Sequence, residues 1–137
     1  LDKLLEHNTF VGNYYGTPRE PVETAIEEGR DIIIEVDVNG AAQIREKLPE
    51  AVSIFIMPPS FSELKRRLVS RGTESEDVIN KRMASALNEI KRSVEYDYII
   101  VNDSITAAAD DIMTVISSSR LMTDRQINII NEVLKKC

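Results

Sequence analysis

Cysteine is almost absent from this sequence: there is one, Cys137, and it is the last residue. No disulfide can form within the chain, and the composition fits a reducing, cytoplasmic compartment. Histidine is as scarce. His7 stands alone, which excludes a metal site built from several imidazoles and leaves His7 as a surface or packing residue. No apolar run approaches the roughly 20 residues that cross a bilayer. The opening Leu1-Asp2-Lys3-Leu4-Leu5-Glu6 also lacks the basic-then-apolar layout of a signal peptide. Positive charge is in deficit: 17 Lys and Arg against 23 Asp and Glu give a net charge of -6 and a pI near 4.9. Gripping a nucleic-acid backbone over a broad surface needs a basic face, so that class is excluded. Neither a nucleic-acid nor a membrane partner is expected, and any anionic ligand has to be held by a local cluster. Internal repeats and low-complexity tracts are missing as well.

What is present suits one domain with a sizeable core: 137 residues, 42% of them hydrophobic. The chain lacks an initiator Met and opens on Leu1, Leu4 and Leu5 at helical spacing, which reads as the middle of an amphipathic helix in a longer chain. Gly12 to Thr17 reads as turn-rich. A short helix is expected from Pro21, with Val22, Ala25 and Ile26 on one face and Gly29 as its stop. The run Ile32-Ile33-Ile34-Glu35-Val36-Asp37-Val38 begins without alternation, as a strand buried on both faces does. Asn39-Gly40 turns the chain into a helix through Ile44 to Leu48, before a second strand at Val52 to Met57. Ser60-Phe61-Ser62-Glu63 reads as a capping box opening a helix to about Arg71, where Gly72 interrupts. A further helix is expected from Ser75 to about Val94, and then a third strand at Tyr98 to Val101. After it comes a helix with Ile105, Ala108, Ile112, Val115 and Ile116 on one face, and last a capped helix from about Asp124 to Lys136. Alternating strands and helices imply an α/β fold, a parallel sheet covered on both faces, with ligands beyond the carboxyl ends of its strands. Glu35, Asp37 and Asn102 all fall at such ends.

Basic residues concentrate in Lys65-Arg66-Arg67-Leu68-Val69-Ser70-Arg71 and again at Lys81-Arg82, on either side of Gly72-Thr73-Glu74-Ser75-Glu76. Arg67 and Arg71 share a helix face, and a glycine between two helices suits a moving lid. The same residues also suit a solvated helix face paired with Glu63, Glu74 and Glu76. Gly12-Asn13-Tyr14-Tyr15-Gly16-Thr17 is either a tight turn or part of a ligand site. Glu35 and Asp37 would be costly at the end of a buried strand without a partner, a metal or a ligand; a structural salt bridge is the alternative.

Taken in order, Glu6, Gly12-Asn13-Tyr14-Tyr15-Gly16-Thr17, Glu35-Val36-Asp37-Val38-Asn39-Gly40, Pro58-Pro59-Ser60, Arg71-Gly72-Thr73-Glu74 and Val101-Asn102-Asp103 resemble the guanylate kinase family, bacterial type, over nearly the whole chain. The resemblance implies that Glu6 receives the guanine N1 and N2 protons and that Thr17 lies near guanine O6. It places Asp37 near the base and has Tyr15 bond the phosphate of the nucleoside monophosphate. Glu35 falls near the metal and phosphates, and Asn102 near the adenine. Arg71 and Arg82 become the catalytic lid-side arginines that close over the donor phosphates. The residue types suit these roles, because an ionised carboxylate only accepts hydrogen bonds and a planar guanidinium matches phosphate oxygens.

By the same resemblance the fold is of the P-loop nucleoside-monophosphate kinase type. One domain spans 1–137: residues 1–30 belong to a GMP-binding lobe, 31–60 to core strands, 61–82 to a lid, and 83–137 to core and C-terminal helices. The implied partners are GMP and ATP, with Mg2+ as cofactor and no protein side chain as its direct ligand. The departure from the family is the glycine-rich phosphate loop: Gly40 and Gly72 sit in no G-x-x-x-x-G-K-[ST] pattern. These residues are therefore expected to lack the N-terminal phosphate-loop unit and to be inactive alone. The rival implication is a non-catalytic guanylate-kinase-like protein-interaction module.

Overall fold

The computed structural model describes residues 3–10 and 13–137, and their side chains except those of 8–15. Its elements fall into two units, Leu1–Ser53 and Ile54–Cys137.

In the first unit, Leu4–Phe10 (β1) and Asn13–Pro18 (β2) form an antiparallel hairpin. The helix expected around Leu4 and Leu5 is thus a strand, and the turn expected at 12–17 is largely strand as well. Leucines spaced over so few residues do not separate the two periods. Pairing across the hairpin decides it, Glu6 opposite Thr17 and Leu4 opposite Pro18. Leu1 and Gly12, on which those two readings partly rested, lie outside the described residues. The ladder register shifts between Leu4 and Glu6, and Leu5, at this irregularity, is buried completely at 0% exposure. Helix α1, Arg19–Glu27, ends where expected. Gly29, at φ 74°, donates to Ile26 O at 3.0 Å, and Arg30 N–H donates to Ala25 O at 2.9 Å, closing the last turn.

The expected buried strand at Ile32–Val38 does not form. Residues 31–37 carry no regular assignment and join neither ladder of the structure. β-branched residues favour extended backbone, but a strand also needs a hydrogen-bonding neighbour. Ile34 and Val36 pack on the core of Leu5, Val22 and Ile44, whereas Ile33 is 70% exposed. The segment therefore covers one face of a core rather than lying between two layers. It leads into α2, Val38–Lys47, whose first turn is capped by Asp37 accepting from Gly40 N–H at 2.8 Å.

In the second unit, Ile54–Met57 (β3) and Tyr98–Val101 (β4) pair in parallel, with Phe55 opposite Ile99 and Ile56 opposite Ile100. Parallel strands need a long crossover, supplied here by α3, Phe61–Ser70, α4, Glu76–Lys91, and a 3-10 turn, Arg92–Glu95. Phe55 and Ile100 are buried on opposite faces of the pair. Phe55 meets Tyr96 edge to face, with ring centroids 5.2 Å apart at 77°. Helix α5, Ile105–Ser119, buries Ala108, Val115 and Ser119 and starts on Ser104, which accepts from Ala107 N–H at 3.1 Å. The final helix α6, Ile127–Lys135, is shorter than expected and has no side-chain cap, because Thr123–Arg125 forms a separate 3-10 turn that takes Asp124. No helix among the described residues is long and apolar enough to cross a membrane.

The expected capping box at α3 is half made. Ser60 Oγ accepts from Glu63 N–H at 3.0 Å, but the Glu63 carboxylate turns to Arg66, at 2.6 and 2.9 Å, and to Arg67 at 3.1 Å. Hydrogen bonds from Arg66 are the largest influence on Glu63. With Arg67 and the two positive charges they outweigh partial desolvation and lower its pKa from 4.5 to about 2. The folded value lies below the unfolded one, so the cluster stabilises above about pH 4.5 and loses its contribution as pH falls toward about 2. NMR titration of the Glu63 carboxyl is expected to show a midpoint near 2 that rises toward 4.5 in Arg66→Ala. A wild-type midpoint near 4.5 means that the cluster is not formed in solution.

Candidate functional site

A carboxylate in a protein interior is costly unless its oxygens find partners, and Glu6 is such a group at 6% exposure. The hairpin sets Thr17 directly across from it, and the Thr17 hydroxyl donates to Glu6 Oε1 at 2.6 Å. Its other oxygen lies beside the first turn of α2. A Cβ on Gly40 would stand 3.0 Å from Glu6 Oε2, 2.9 Å from Val36 Cβ and 3.3 Å from Asp37 Oδ1. Of the four residues expected on the GMP side, Glu6 and Asp37 thus meet at Gly40, and Thr17 joins them through the other oxygen of Glu6. The fourth, Tyr15, stands in β2 opposite Asn8, and its side chain lies outside the described ones.

Burial cost does not argue for a ligand at Glu35 and Asp37, contrary to expectation. Both are exposed, because the segment carrying them is not a buried strand. Asp37 has a structural task as the cap of α2.

Two residues that sequence reasoning missed fasten α2 to β1. The Gln43 carboxamide accepts from His7 N–H and donates to His7 O, both at 3.0 Å. Lys47 Nζ donates to Leu4 O at 2.8 Å. Their signal was available as spacing: Gly40, Gln43 and Lys47 lie three and four residues apart, on one face of the helix.

In the second unit, Arg71 is exposed at the C-terminal cap of α3, one residue before Gly72, which adopts φ 63°. Arg82 projects from α4 and pairs with Glu74 at 2.6 Å, one of the acidic partners that the solvated-face alternative names. Asn102 is fixed through its backbone: its N–H donates to Met57 O at 2.8 Å, and its carbonyl accepts from Arg67 Nη1 at 2.8 Å. Arg67 Nη2 reaches Asp103 O at 3.3 Å. Arg67 therefore braces the turn after β4. Residue spacing had set Arg67 only beside Arg71.

The family model described as "Guanylate kinase" matches residues 1–119. The chain belongs to the guanylate kinase family. It is 49% identical over 135 residues to a guanylate kinase of Salmonella typhimurium, covering 98% of this chain and 65% of that protein. It is 44% identical over 135 residues to one of Lactobacillus johnsonii, covering 98% of this chain and 66% of that protein. The crystal structure of guanylate kinase from Anaplasma phagocytophilum is similar with a TM-score of 0.81 and 35% identity, over 98% of this chain and 64% of that one. The chain thus spans 65 to 66% of the length of these curated relatives. The α/β expectation agrees with the guanylate kinase fold of the solved relative.

Of the described glycines, Gly40 leaves the least room for a Cβ. Gly40→Ala places a methyl group against Val36 Cβ and Glu6 Oε2 and is expected to cost about 1–3 kcal/mol, the usual range for overpacking. Urea denaturation measures this, and a loss below about 0.5 kcal/mol means that the carboxylate yields freely.

Proposed function

We propose that the full-length protein carrying this chain transfers the γ-phosphoryl group of ATP to GMP, giving ADP and GDP, in the cytoplasm. The observation that carries the reading is the buried Glu6 carboxylate with Thr17 on one oxygen, in a chain of this family. Guanine offers two N–H donors at N1 and N2, which an acceptor-only carboxylate matches, whereas adenine presents a lone pair at N1. Asp37 and Tyr15 complete the GMP side. Arg71 and Arg82 act on the transferring phosphoryl group, from a lid at 61–82. Glu35 and Asn102 serve the ATP side.

Magnesium fits this assignment as an ion held chiefly by the substrate. Mg2+ keeps several of its waters and is taken largely by phosphate oxygens, so exposed Glu35, set near the metal and phosphates by this reading, would act through those waters rather than as a direct ligand. Bound with ATP, the ion would neutralise charge on the phosphates. What the chain's own residues contribute is binding, orientation and charge stabilisation, since phosphoryl transfer asks little covalent chemistry of a protein.

The 137 residues contain no phosphate-loop motif. By themselves they are expected not to turn over GMP and ATP, while the full-length protein does. A coupled ADP-release assay on both checks this, and robust turnover by the 137 residues alone refutes the division of labour. In the full-length protein, Glu6→Gln is expected to weaken GMP use and narrow the preference over AMP. Sites built on polar pairing can discriminate by roughly 10⁴-fold.

The Arg82–Glu74 pair favours a second reading, a non-catalytic interaction module in which Arg82 is only a solvated helix residue. Kinetics separate the two. Arg82→Ala in the full-length enzyme is expected to lose at least about two decades of kcat, about 2.7 kcal/mol, with a smaller change in KM, because the guanidinium acts on charge that develops in the transition state. Lysine should restore part, since it keeps the charge without the planar fork. A near-normal kcat in Arg71→Ala and Arg82→Ala removes the arginines from the reaction.

A further inference from the structure

We infer that helix α2 sets the position of the base-recognising carboxylate, with Gln43 as a positioning residue for Glu6 and a determinant of guanine selectivity; this rests on the reading of Glu6 given above. The need for such a device follows from the hairpin. Glu6 stands at the register shift between Leu4 and Glu6, where a bulge interrupts the ladder that would otherwise fix a strand residue in place. A slip of one residue sends every side chain to the opposite face, and the ladder is irregular at this point.

The contacts from α2 straddle the gap. Lys47 Nζ holds Leu4 O at 2.8 Å on one side, and Gln43 holds both His7 N–H and His7 O at 3.0 Å on the other. A carboxamide has a donor and an acceptor side by side, so one side chain satisfies both groups that a third strand would have paired. Between the two clamps, Leu5 is anchored in the core and Gly40 leaves room for Glu6 Oε2. Helix α2 thus reaches β1 through three positions of one face, and the carboxylate is held on both flanks by bonds that never touch the base.

The test compares GMP with inosine monophosphate, which lacks the 2-amino donor that Glu6 reads, in the full-length enzyme. Gln43→Met keeps the length of the side chain and removes both hydrogen bonds. It is expected to narrow the GMP-to-IMP ratio of kcat/KM by roughly tenfold, with KM for GMP raised and KM for ATP unchanged. A general loss of stability would not single out the 2-amino group or one substrate's KM. An unchanged ratio in folded Gln43→Met overturns the inference. Should that variant fail to fold, Lys47→Met, which releases only the Leu4 flank, is read in the same way. Glu6→Gln separates the two levels of argument. If it leaves the ratio intact, the base-recognition reading falls; if it collapses the ratio while the Gln43 and Lys47 variants do not, only the positioning role falls.

Discussion

The burial of one carboxylate governs the first unit. Glu6 is 6% exposed, and an ionised group taken that far from water costs several kcal/mol unless the surroundings compensate. Several local features of the fold go with that burial, and the Thr17 hydroxyl is a polar partner to it. The register shift accompanies a fully buried Leu5 beside a buried Glu6, so adjacent residues of one strand both leave the solvent. The facing strand supplies the Thr17 hydroxyl. Helix α2 offers a glycine where any side chain would collide, and Asp37 fixes where that helix begins, three residues before it. An acid that looks like a ligand-binding residue in sequence is therefore, in part, what places the helix against another acid.

Arginine chemistry organises the second unit in a comparable way, with some guanidinium groups committed to structure. Arg67 forks onto two successive carbonyls after β4 while its Nε holds Glu63, a use suited to a planar group with several donors. Arg66 completes the cluster on Glu63. A capping box would have used the same carboxylate, and the competition for it is won by charge, since hydrogen bonds between ionised groups are the stronger kind. Arg71 and Arg82 flank the left-handed Gly72. Arg82 is held by Glu74, a partly exposed ion pair of the kind that contributes little to stability.

Helices were more legible than strands. Ser60, Ser75 and Ser104 announce their helices because an N-cap is a local event, a side-chain oxygen meeting a backbone N–H three residues on. Gly29 and Gly72 mark helix ends for a reason equally local, their positive φ. The strand at 32–38 misled because an apolar β-branched run states only that the backbone is extended. Whether it has neighbours is a property of the rest of the fold, and here it joins neither ladder. Leu4 and Leu5 misled in the opposite direction, since their partner residues lie across a hairpin.

The sequence by itself determined the family, the residue types of the site and most helix boundaries, all of which depend on identity, order and short-range bonding. Only tertiary structure decided what those residues touch. That Glu6 and Thr17 share a hydrogen bond, that a side chain at Gly40 would meet Glu6 as well as its own neighbour Val36, and that Gln43 and Lys47 hold the strand on either side of the carboxylate all arise from segments up to 43 residues apart. No local propensity carries that information, because a hydrogen bond between distant segments exists only after burial has brought them together and removed the water that each group would otherwise have bound.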